Sequence, residues 1–289
     1  MNQDDLARQF EQNRRHLRAV AYRMLGSLSE AEDAVQEAWL RLSRSDSSEI
    51  ANLGGWLTTV VSRVCLDMLR ARKSRREDPY DTYVPDPVVS RLDPEEEAVQ
   101  TDSVGLAMLV VLETLKPAER LAFVLHDLFG VSFDEIAPIV DKTPAATRQL
   151  ASRARRRVQG APTSDGNLGR QREVVEAFLA ASRSGDFDGL LAVLDPDVVL
   201  RADAGAVPAT GLATSRLVRG AKTVVEQALL FGRLSPHAQV ATVNGAPGLV
   251  TVVDGRLLGV MSPEIRDGRI VEINILADLS RLESLPLPA

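Results

Sequence analysis

The sequence predicts a multidomain protein in which two all-α domains precede one α+β domain. Apolar residues recur at helical spacing over residues 1–77 and again over 104–160. In 170–289, short alternating segments are separated by Asn-Gly and Asp-Gly pairs, which are hairpin signals. Stretches rich in proline, glycine or acidic residues separate these blocks at 78–103 and 161–169, and we predict that both are linkers.

The composition is that of an ordinary globular protein. Hydrophobic residues make up 45% of the chain, charged residues make up 26%, and the net charge is −6, which excludes a fibrous or fully disordered chain. No apolar run approaches the roughly 20 residues of a membrane span. The polar start Met1–Asp5 is unlike a secretory signal. We therefore expect a cytoplasmic protein without a membrane partner.

Residues 1–77 are predicted to form three helices. A stripe from Leu6 to Met24 ends at Gly26-Ser27, and Ser29 with Glu32 predicts a capping box at the start of a second helix. A third helix is expected after Gly54-Gly55. The single cysteine, Cys65, lies on its apolar stripe and is interpreted as a core residue that has no disulfide partner.

Residues 132–158 have the pattern of a helix–turn–helix. Ser132 and Glu135 predict a capping box, and Thr143 followed by Pro144 predicts the start of the second helix. Pro138 is expected to kink the first helix. The second helix is expected to bury Ala146, Leu150, Ala154 and Val158 and to leave an outward face of Ala145, Thr147, Arg148, Gln149, Ser152, Arg153, Arg155 and Arg156.

Basic side chains are concentrated at the ends of two predicted helices. A polyanion responds to such local clusters more than to net charge, so the pattern favours a nucleic-acid partner over a merely solvated helix face. The segment 78–104 between them is acidic, with eight acidic side chains, including Glu95–Glu97, against Arg91. The first cluster contains Arg63, Arg70, Arg72, Lys73, Arg75 and Arg76, and the second contains Arg148, Arg153, Arg155, Arg156 and Arg157.

The last block is predicted to mix helices with an antiparallel sheet. Helices are expected at 170–183, 187–194 and 220–231, with a strand at 197–203. A meander of about four strands is expected over 238–276. Its turns are predicted at Asn244-Gly245, Asp254-Gly255 and Asp267-Gly268.

Three stretches resemble extracytoplasmic-function (group IV) RNA polymerase sigma factors: AYRMLGSLSEAEDAVQEAWLRL, GGWLTTVVSRVCLDMLRARKSRRE and LKPAERLAFVLHDLFGVSFDEIAPIVDKTPAATRQLASRARRRV. The last third resembles a SnoaL-like domain, the cone-shaped α+β fold also used by polyketide cyclases and ketosteroid isomerases. The resemblance implies sigma region 2 over 1–77, sigma region 4 over 104–160 and a regulatory SnoaL-like domain over 170–289. The linker segment YVPDPVV is similar to the proline-containing linker of that subgroup.

The resemblance also implies two partners, core RNA polymerase (the β′ clamp and β flap) and promoter DNA. Trp39 has an alternative interpretation as a half-buried core residue. The acidic linker is expected to lie in the positively charged path that nucleic acid follows through the polymerase. The residues implied to bind the clamp are Asp33, Gln36, Glu37, Trp39 and Leu40.

The third helix is implied to melt and hold the −10 element, and the helix from Pro144 is implied to read the −35 element. Phosphate contacts position the protein, whereas contacts to bases specify the sequence. At the −10 element the implied residues are Trp56, Thr59, Ser62 and Arg63, with Arg70, Arg72 and Lys73 on phosphates. At the −35 element they are Thr147, Arg148, Ser152 and Arg153, with Arg155, Arg156 and Arg157 along the backbone.

The tail offers few candidates for chemistry. Asp203, at the end of a predicted strand, and His237 are the candidate acid–base residues, and the three histidines form no metal-ligating cluster. We expect no cofactor and no enzyme activity. Part of the subgroup carries Asp-Gly-Gly-Gly-Lys where this chain has Asp203-Ala204-Gly205-Ala206-Val207, so Asp203 is kept as a regulatory candidate.

The hypothesis from the sequence is an alternative sigma factor whose activity is tuned by its fused tail. Two alternatives stay open: a DNA-binding regulator that responds to a ligand and needs no polymerase, and an isomerase- or cyclase-like enzyme fused to a DNA-binding module. A small ligand inside the cone is compatible with each of these hypotheses. We also expect a compact form that hides the Arg148–Arg157 face when polymerase is absent.

Overall fold

The computed structural model describes residues 3–45, 50–74, 81–90, 105–160, 166–205, 215–230 and 235–285. The chain divides into two compact units. The first contains Met1–Asp78 and Val111–Gly160, and the second contains Pro79–Val110 and Ala161–Ala289. Several residues of the sequence analysis lie outside the described ranges, namely Arg75, Arg76, Arg91, Glu95–Glu97, Ala206 and Val207.

The first unit begins with three helices: α1 (Gln3–Leu25), α2 (Leu28–Arg44) and α3 (Leu53–Ser74). The predicted break after α1 is confirmed at Gly26, whose φ of 68° lies in the left-handed region that glycine tolerates. The predicted capping box of α2 is wrong, because α2 starts at Leu28 and its N-cap is Ser27. The Gly54-Gly55 pair lies inside the first turn of α3.

The next helix along the chain is α4 (Leu106–Glu113). It is followed by α5 (Pro117–Phe123), a π-helical turn (Val124–Leu128), α6 (Phe133–Ile136) and α7 (Pro144–Gln159). The capping box at Ser132 and Glu135 is confirmed. The expected kink at Pro138 is wrong, because α6 ends at Ile136 and a turn follows. Pro138 therefore lies outside the helix, where its missing N–H breaks no helical hydrogen bond.

The two helical parts of the first unit pack against each other. The Arg120 side chain is 2% exposed, donates to the Arg23 carbonyl at 3.2 Å and pairs with Glu113 at 2.7 Å. The Phe129 ring meets His16 edge-on with centroids 5.2 Å apart, and the Arg23 guanidinium lies 4.9 Å from the same ring. The regions that resemble sigma regions 2 and 4 are therefore in direct contact.

The second unit contains β1 (Val89–Ser90), α8 (Leu168–Ser184), α9 (Phe187–Val193), β2 (Leu194–Asp203), β3 (Arg216–Arg219) and α10 (Ala221–Leu230). A short 3₁₀ turn precedes β4 (Ala238–Val243), β5 (Ala246–Val253), β6 (Arg256–Arg266), β7 (Arg269–Leu276) and α11 (Leu279–Leu282). The strands form one sheet in the order β1-β4-β5-β6-β7-β2-β3, and β2 pairs with β7 in parallel.

The predicted meander is confirmed as β4 to β7. Each of its three turns has two residues at positive φ, for example 49° and 79° at Asn244 and Gly245, as a type I′ turn requires. Helices α8, α9 and α10 share a hydrophobic core with the sheet, and this core includes Phe178, Leu190, Val224 and Ile273. The short strands β1 and β3 were missed by the sequence analysis.

Candidate nucleic-acid interface

The predicted recognition helix, α7, is built by local sequence. Asp141 takes a φ of 55° in the turn, and the Thr143 hydroxyl accepts a hydrogen bond from the Ala146 N–H at 3.2 Å. Pro144 occupies the first turn, where its missing N–H has no cost. The turn and the start of the helix therefore agree with the sequence prediction.

The buried face of α7 differs from the prediction near its N-terminus. Thr147 is fully buried, and its hydroxyl donates to the Thr143 carbonyl at 3.0 Å, so the expectation that Thr147 faces outward is wrong. Ala151 is also buried, whereas Ala146 and Leu150 are only half-buried. The apolar face near the N-terminus of α7 is therefore shifted by one residue from the predicted stripe, whereas Ala154 and Val158 are buried as predicted.

The outward face of α7 remains exposed and basic. The expectation that a compact form hides the Arg148–Arg157 face when polymerase is absent stays a prediction. Arg148 lies 5.3 Å from the centre of the Phe133 ring, which itself stacks on His126 with centroids 3.8 Å apart. Arg155 is half-buried, and the exposed residues of this face are Ala145, Arg148, Gln149, Ser152, Arg153, Arg156 and Arg157.

Helix α3 has a smaller free face than predicted. Ser62 is fully buried, and Arg72 is only 20% exposed because it pairs with Glu30 and donates to the Leu25 carbonyl. The expectation that Ser62 is exposed is therefore wrong. Trp56 and Thr59 are half-buried, and the Thr59 hydroxyl donates to the Gly55 carbonyl at 3.0 Å. The exposed basic residues of this face are Arg63, Arg70 and Lys73.

The residues implied to bind polymerase lie along α2. Trp39 is half-buried, with its ring centre 5.0 Å from that of Phe10. A cavity of about 310 Å³ opens beside this pair, and its lining includes Gln36. Asp33, Gln36 and Leu40 are exposed, with Leu40 at 37%, whereas Glu37 is half-buried and pairs with Arg41 at 2.8 Å.

Residues 81–90, in the segment predicted to be a linker, dock on the tail domain through Arg281. This guanidinium donates to Asp86 at 2.8 Å, to Asp203 at 2.8 Å and to the Val84 carbonyl at 2.6 Å. It also lies 4.9 Å from the centre of the Tyr83 ring. We call Arg281, Asp86 and Asp203 the linker anchor. Burial tends to lower the pKa of Arg281, but the aromatic and acidic partners raise it above its ordinary value.

Asp203 therefore makes structural contacts, beyond ending a strand as the sequence indicated. Its carboxylate is buried and accepts the Val84 N–H at 3.1 Å and the Gly205 N–H at 3.1 Å. Further along, β1 pairs with β4, and the Val88 N–H donates to the Asn244 side chain at 3.0 Å. No local pattern pointed to Arg281, because its partners lie 78 to 197 residues away along the chain.

The described residues contain no group of three or more His, Cys, Asp or Glu side chains that could hold a metal ion. Within the same residues, no helix is both long and apolar enough to cross a bilayer. The 3₁₀ turn places His237 on the surface. Burial raises the pKa of the Cys65 thiol to about 12, and its side chain is fully enclosed by the first unit.

Two family models match the helical parts of the chain. The model for Sigma-70 region 2 matches residues 9–75, and the model for Sigma-70 region 4 matches residues 106–158. These ranges contain α3 and α7 with the basic faces described above.

Full-length relatives cover the whole architecture. The ECF RNA polymerase sigma factor SigJ of Mycobacterium tuberculosis is 41% identical over 298 residues, which is 96% of this chain and 94% of that protein. SigI of the same organism is 36% identical, covering 98% of this chain and 96% of its own length. The crystal structure of SigJ matches 97% of this chain and 99% of its own, with a TM-score of 0.76 and 40% identity. The chain is therefore a member of the extracytoplasmic-function family of RNA polymerase sigma factors.

Proposed function

We propose that α7 reads the −35 element, that α3 holds the melted −10 element, and that α2 binds the β′ clamp of core RNA polymerase. The observation that carries the proposal is the exposed basic face of α7, which follows a helix–turn–helix turn within the first unit. Sigma factors are not enzymes, so the polymerase core, in the cytoplasm, supplies the chemistry. The proposed domains are region 2 over 1–77, region 4 over 104–160 and the regulatory tail over 170–289.

On α7, Arg148, Ser152 and Arg153 are proposed to face bases or nearby phosphates, and Arg155 and Arg156 are proposed to follow the backbone. Thr147 is left out because its side chain is buried against the helix itself. On α3, Trp56 and Thr59 are proposed to contact unpaired bases.

Four further basic side chains are assigned to phosphates, because such contacts need charge and exposure rather than one fixed geometry. Ser62 and Arg72 are excluded from this set, since the first is buried and the second is held by Glu30. The phosphate residues are Arg63, Arg70, Lys73 and Arg157, each of which is exposed.

The polymerase surface is proposed to be the exposed side of α2. Asp33, Gln36 and Leu40 are exposed on this side, and Trp39 beside them is half-buried. A half-buried aromatic ring beside a groove is a common anchor in protein interfaces. The β flap is proposed to bind the region 4 part, residues 104–160.

Regions 2 and 4 must separate before the promoter can be bound at both elements. The −10 and −35 elements are about 25 base pairs apart, which is about 85 Å of duplex. A compact unit of about 130 residues has a radius of gyration near 14 Å and is about 36 Å across. The contact of Phe129 with His16 and Arg23 therefore belongs to a closed, free form.

The tail is proposed to restrain this opening by holding the linker. Docking of residues 81–90 removes ten residues, or about 33 Å of extended chain, from the connection between regions 2 and 4. We assign no ligand to the tail, because the described side chains between its helices and sheet form an apolar core.

The test is run-off transcription with purified core polymerase on the upstream region of the gene, with the whole chain compared with residues 1–168. Transcripts should depend on the added protein and should fall strongly when either promoter element is replaced. The shorter chain should yield more transcript if the tail restrains activity. Tight, sequence-specific binding of the same DNA without polymerase, with no transcript from either chain, would overturn the sigma assignment of these residues.

A further inference from the structure

Two acidic side chains next to the recognition helix hold arginines of its outward face. Glu119, on α5, accepts the Arg153 Nε–H at 2.8 Å, and its second oxygen lies 3.9 Å from the Arg157 guanidinium. Asp127, in the π-helical turn, accepts the Arg155 Nε–H at 2.7 Å. We call Glu119 and Asp127 the acidic brace.

The Glu119 carboxylate is buried, which is unusual for a negatively charged group. Its side chain is 6% exposed, and its Oε2 atom is buried with no hydrogen-bond partner among the described residues. Burial favours the neutral acid, yet the pKa of Glu119 lies below its ordinary value because Arg153 donates to it and Arg157 adds positive charge nearby. A charged, buried carboxylate is costly to keep, and its partner here lies on the DNA-facing surface.

The bond geometry leaves the useful part of Arg153 available. Glu119 accepts from Nε, which fixes the plane of the guanidinium at its inner edge. The two Nη groups form the fork that binds phosphate oxygens or a guanine edge in bidentate fashion. Asp127 also lies 2.7 Å from Nη2 of Arg155, so that guanidinium is held along its Nε–Nη2 edge. Arg153 is 47% exposed and Arg155 is 41% exposed, so both guanidinium groups reach solvent while one edge is held.

We propose that the acidic brace positions Arg153 and Arg155 for recognition of the −35 element without touching DNA. The inference rests on the function proposed for α7 and extends it to residues outside that helix. Ordering a long, rotamer-rich side chain at an interface costs about 0.5–1.5 kcal/mol, a factor of roughly two to twelve in affinity. Because the acidic brace already orders Arg153 and Arg155 in the free protein, binding of DNA does not have to order them.

A purely structural role for the same ion pairs makes a different prediction. The pairs would then connect α5 and α7, and removing the charge would lower stability and leave sequence discrimination unchanged. A positioning role moves two quantities in opposite directions. Neutralising an acid near DNA strengthens non-specific binding through the phosphates, whereas a free arginine discriminates less between the right and wrong element.

The experiment measures a discrimination ratio with holoenzyme containing the full chain. The ratio compares run-off transcription from the intact promoter with that from a promoter whose −35 element is replaced. We expect Glu119→Gln to lower the ratio by roughly two- to twelve-fold, and Asp127→Asn to lower it in the same direction. Asp134→Asn, which neutralises an exposed acid on α6, is the matched control and should leave the ratio unchanged.

A double-mutant cycle separates failure of this inference from failure of the proposed function. If Arg153→Ala leaves the ratio unchanged, the assignment of Arg153 to the −35 element is wrong. If Arg153→Ala lowers the ratio but Glu119→Gln does not, the positioning role of the acidic brace is wrong and the function proposed for α7 stands. Support requires that Glu119→Gln causes no further loss in the Arg153→Ala background. If Glu119→Gln does not fold, Asp127→Asn with Arg155→Ala gives the same decision.

Discussion

Replacement of Arg281 by methionine should release the linker from the tail. Methionine keeps much of the side-chain volume but removes the donors to Asp86, Asp203 and the Val84 carbonyl. Asp86 and Asp203 would remain buried, at 4% and 7% exposure, with a charge partner missing. Removing one partner of a buried ion pair costs about 3–5 kcal/mol. Arg281 is itself 22% exposed, so the expected loss of docking free energy is at the lower end of this range, about 3 kcal/mol.

The measurement is amide hydrogen exchange over peptides that cover residues 81–90. The Val84 and Val88 amides donate to Asp203 and Asn244, so they report directly on docking. A change of about 3 kcal/mol corresponds to roughly a hundred-fold faster exchange if local opening is the route. Run-off transcription by the same variant should rise, because the freed linker lets regions 2 and 4 separate.

The control is Arg172→Met, which removes an exposed pair with Glu176 on α8 and should change neither quantity. Unchanged exchange over residues 81–90 in a folded Arg281→Met variant would refute the anchor. Faster exchange without more transcript would support the linker anchor but would refute the proposal that it restrains the separation of regions 2 and 4.

Three further predictions concern the first unit. The Cys65 thiol should be inert to a thiol reagent at about pH 8 in the native protein and should react fully in denaturant, because burial raises its pKa to about 12; rapid native labelling would contradict this. Phe129→Ala should weaken the contact with His16 and Arg23 by about 1–2 kcal/mol and increase the radius of gyration in solution scattering. An unchanged radius would show that other contacts suffice. Because the folded-state pKa of Glu119 is depressed, its charge stabilises the protein above about pH 4.5, and this stabilisation is lost as the pH falls further. Urea unfolding should therefore show that Glu119→Gln lowers the free energy of unfolding more at neutral pH than near pH 3.5. An equal loss at both pH values would contradict a stabilising charge on Glu119.

The sequence predicted best where a few neighbouring residues determine the backbone. Asn244-Gly245 and its two counterparts formed the expected turns because a type I′ turn needs positive φ at both positions. Ser132 with Glu135 and Thr143 with Pro144 capped their helices as predicted, since each cap depends on residues within one turn. The exposed basic faces of α3 and α7 followed for the same reason, apart from Ser62, Arg72 and Thr147.

Those exceptions show what local patterns leave open. Arg72 looked free in the sequence, but its partner Glu30 lies 42 residues earlier on another helix. Thr147 was counted as outward because the apolar stripe was placed one residue away, and only packing of α7 against α5 fixes that rotation.

By itself, the sequence determined the class of the protein, the order of its parts and the helices that carry its basic faces, because periodicity, caps and turns act over a few residues. Tertiary structure alone decided that regions 2 and 4 meet, that the linker adds a strand to the tail, and which acids hold which arginines. Glu119 reaches Arg153 across 34 residues, and Val84 reaches Arg281 across 197. Contacts at such separations depend on how the whole chain packs, and no local pattern of side chains determines them.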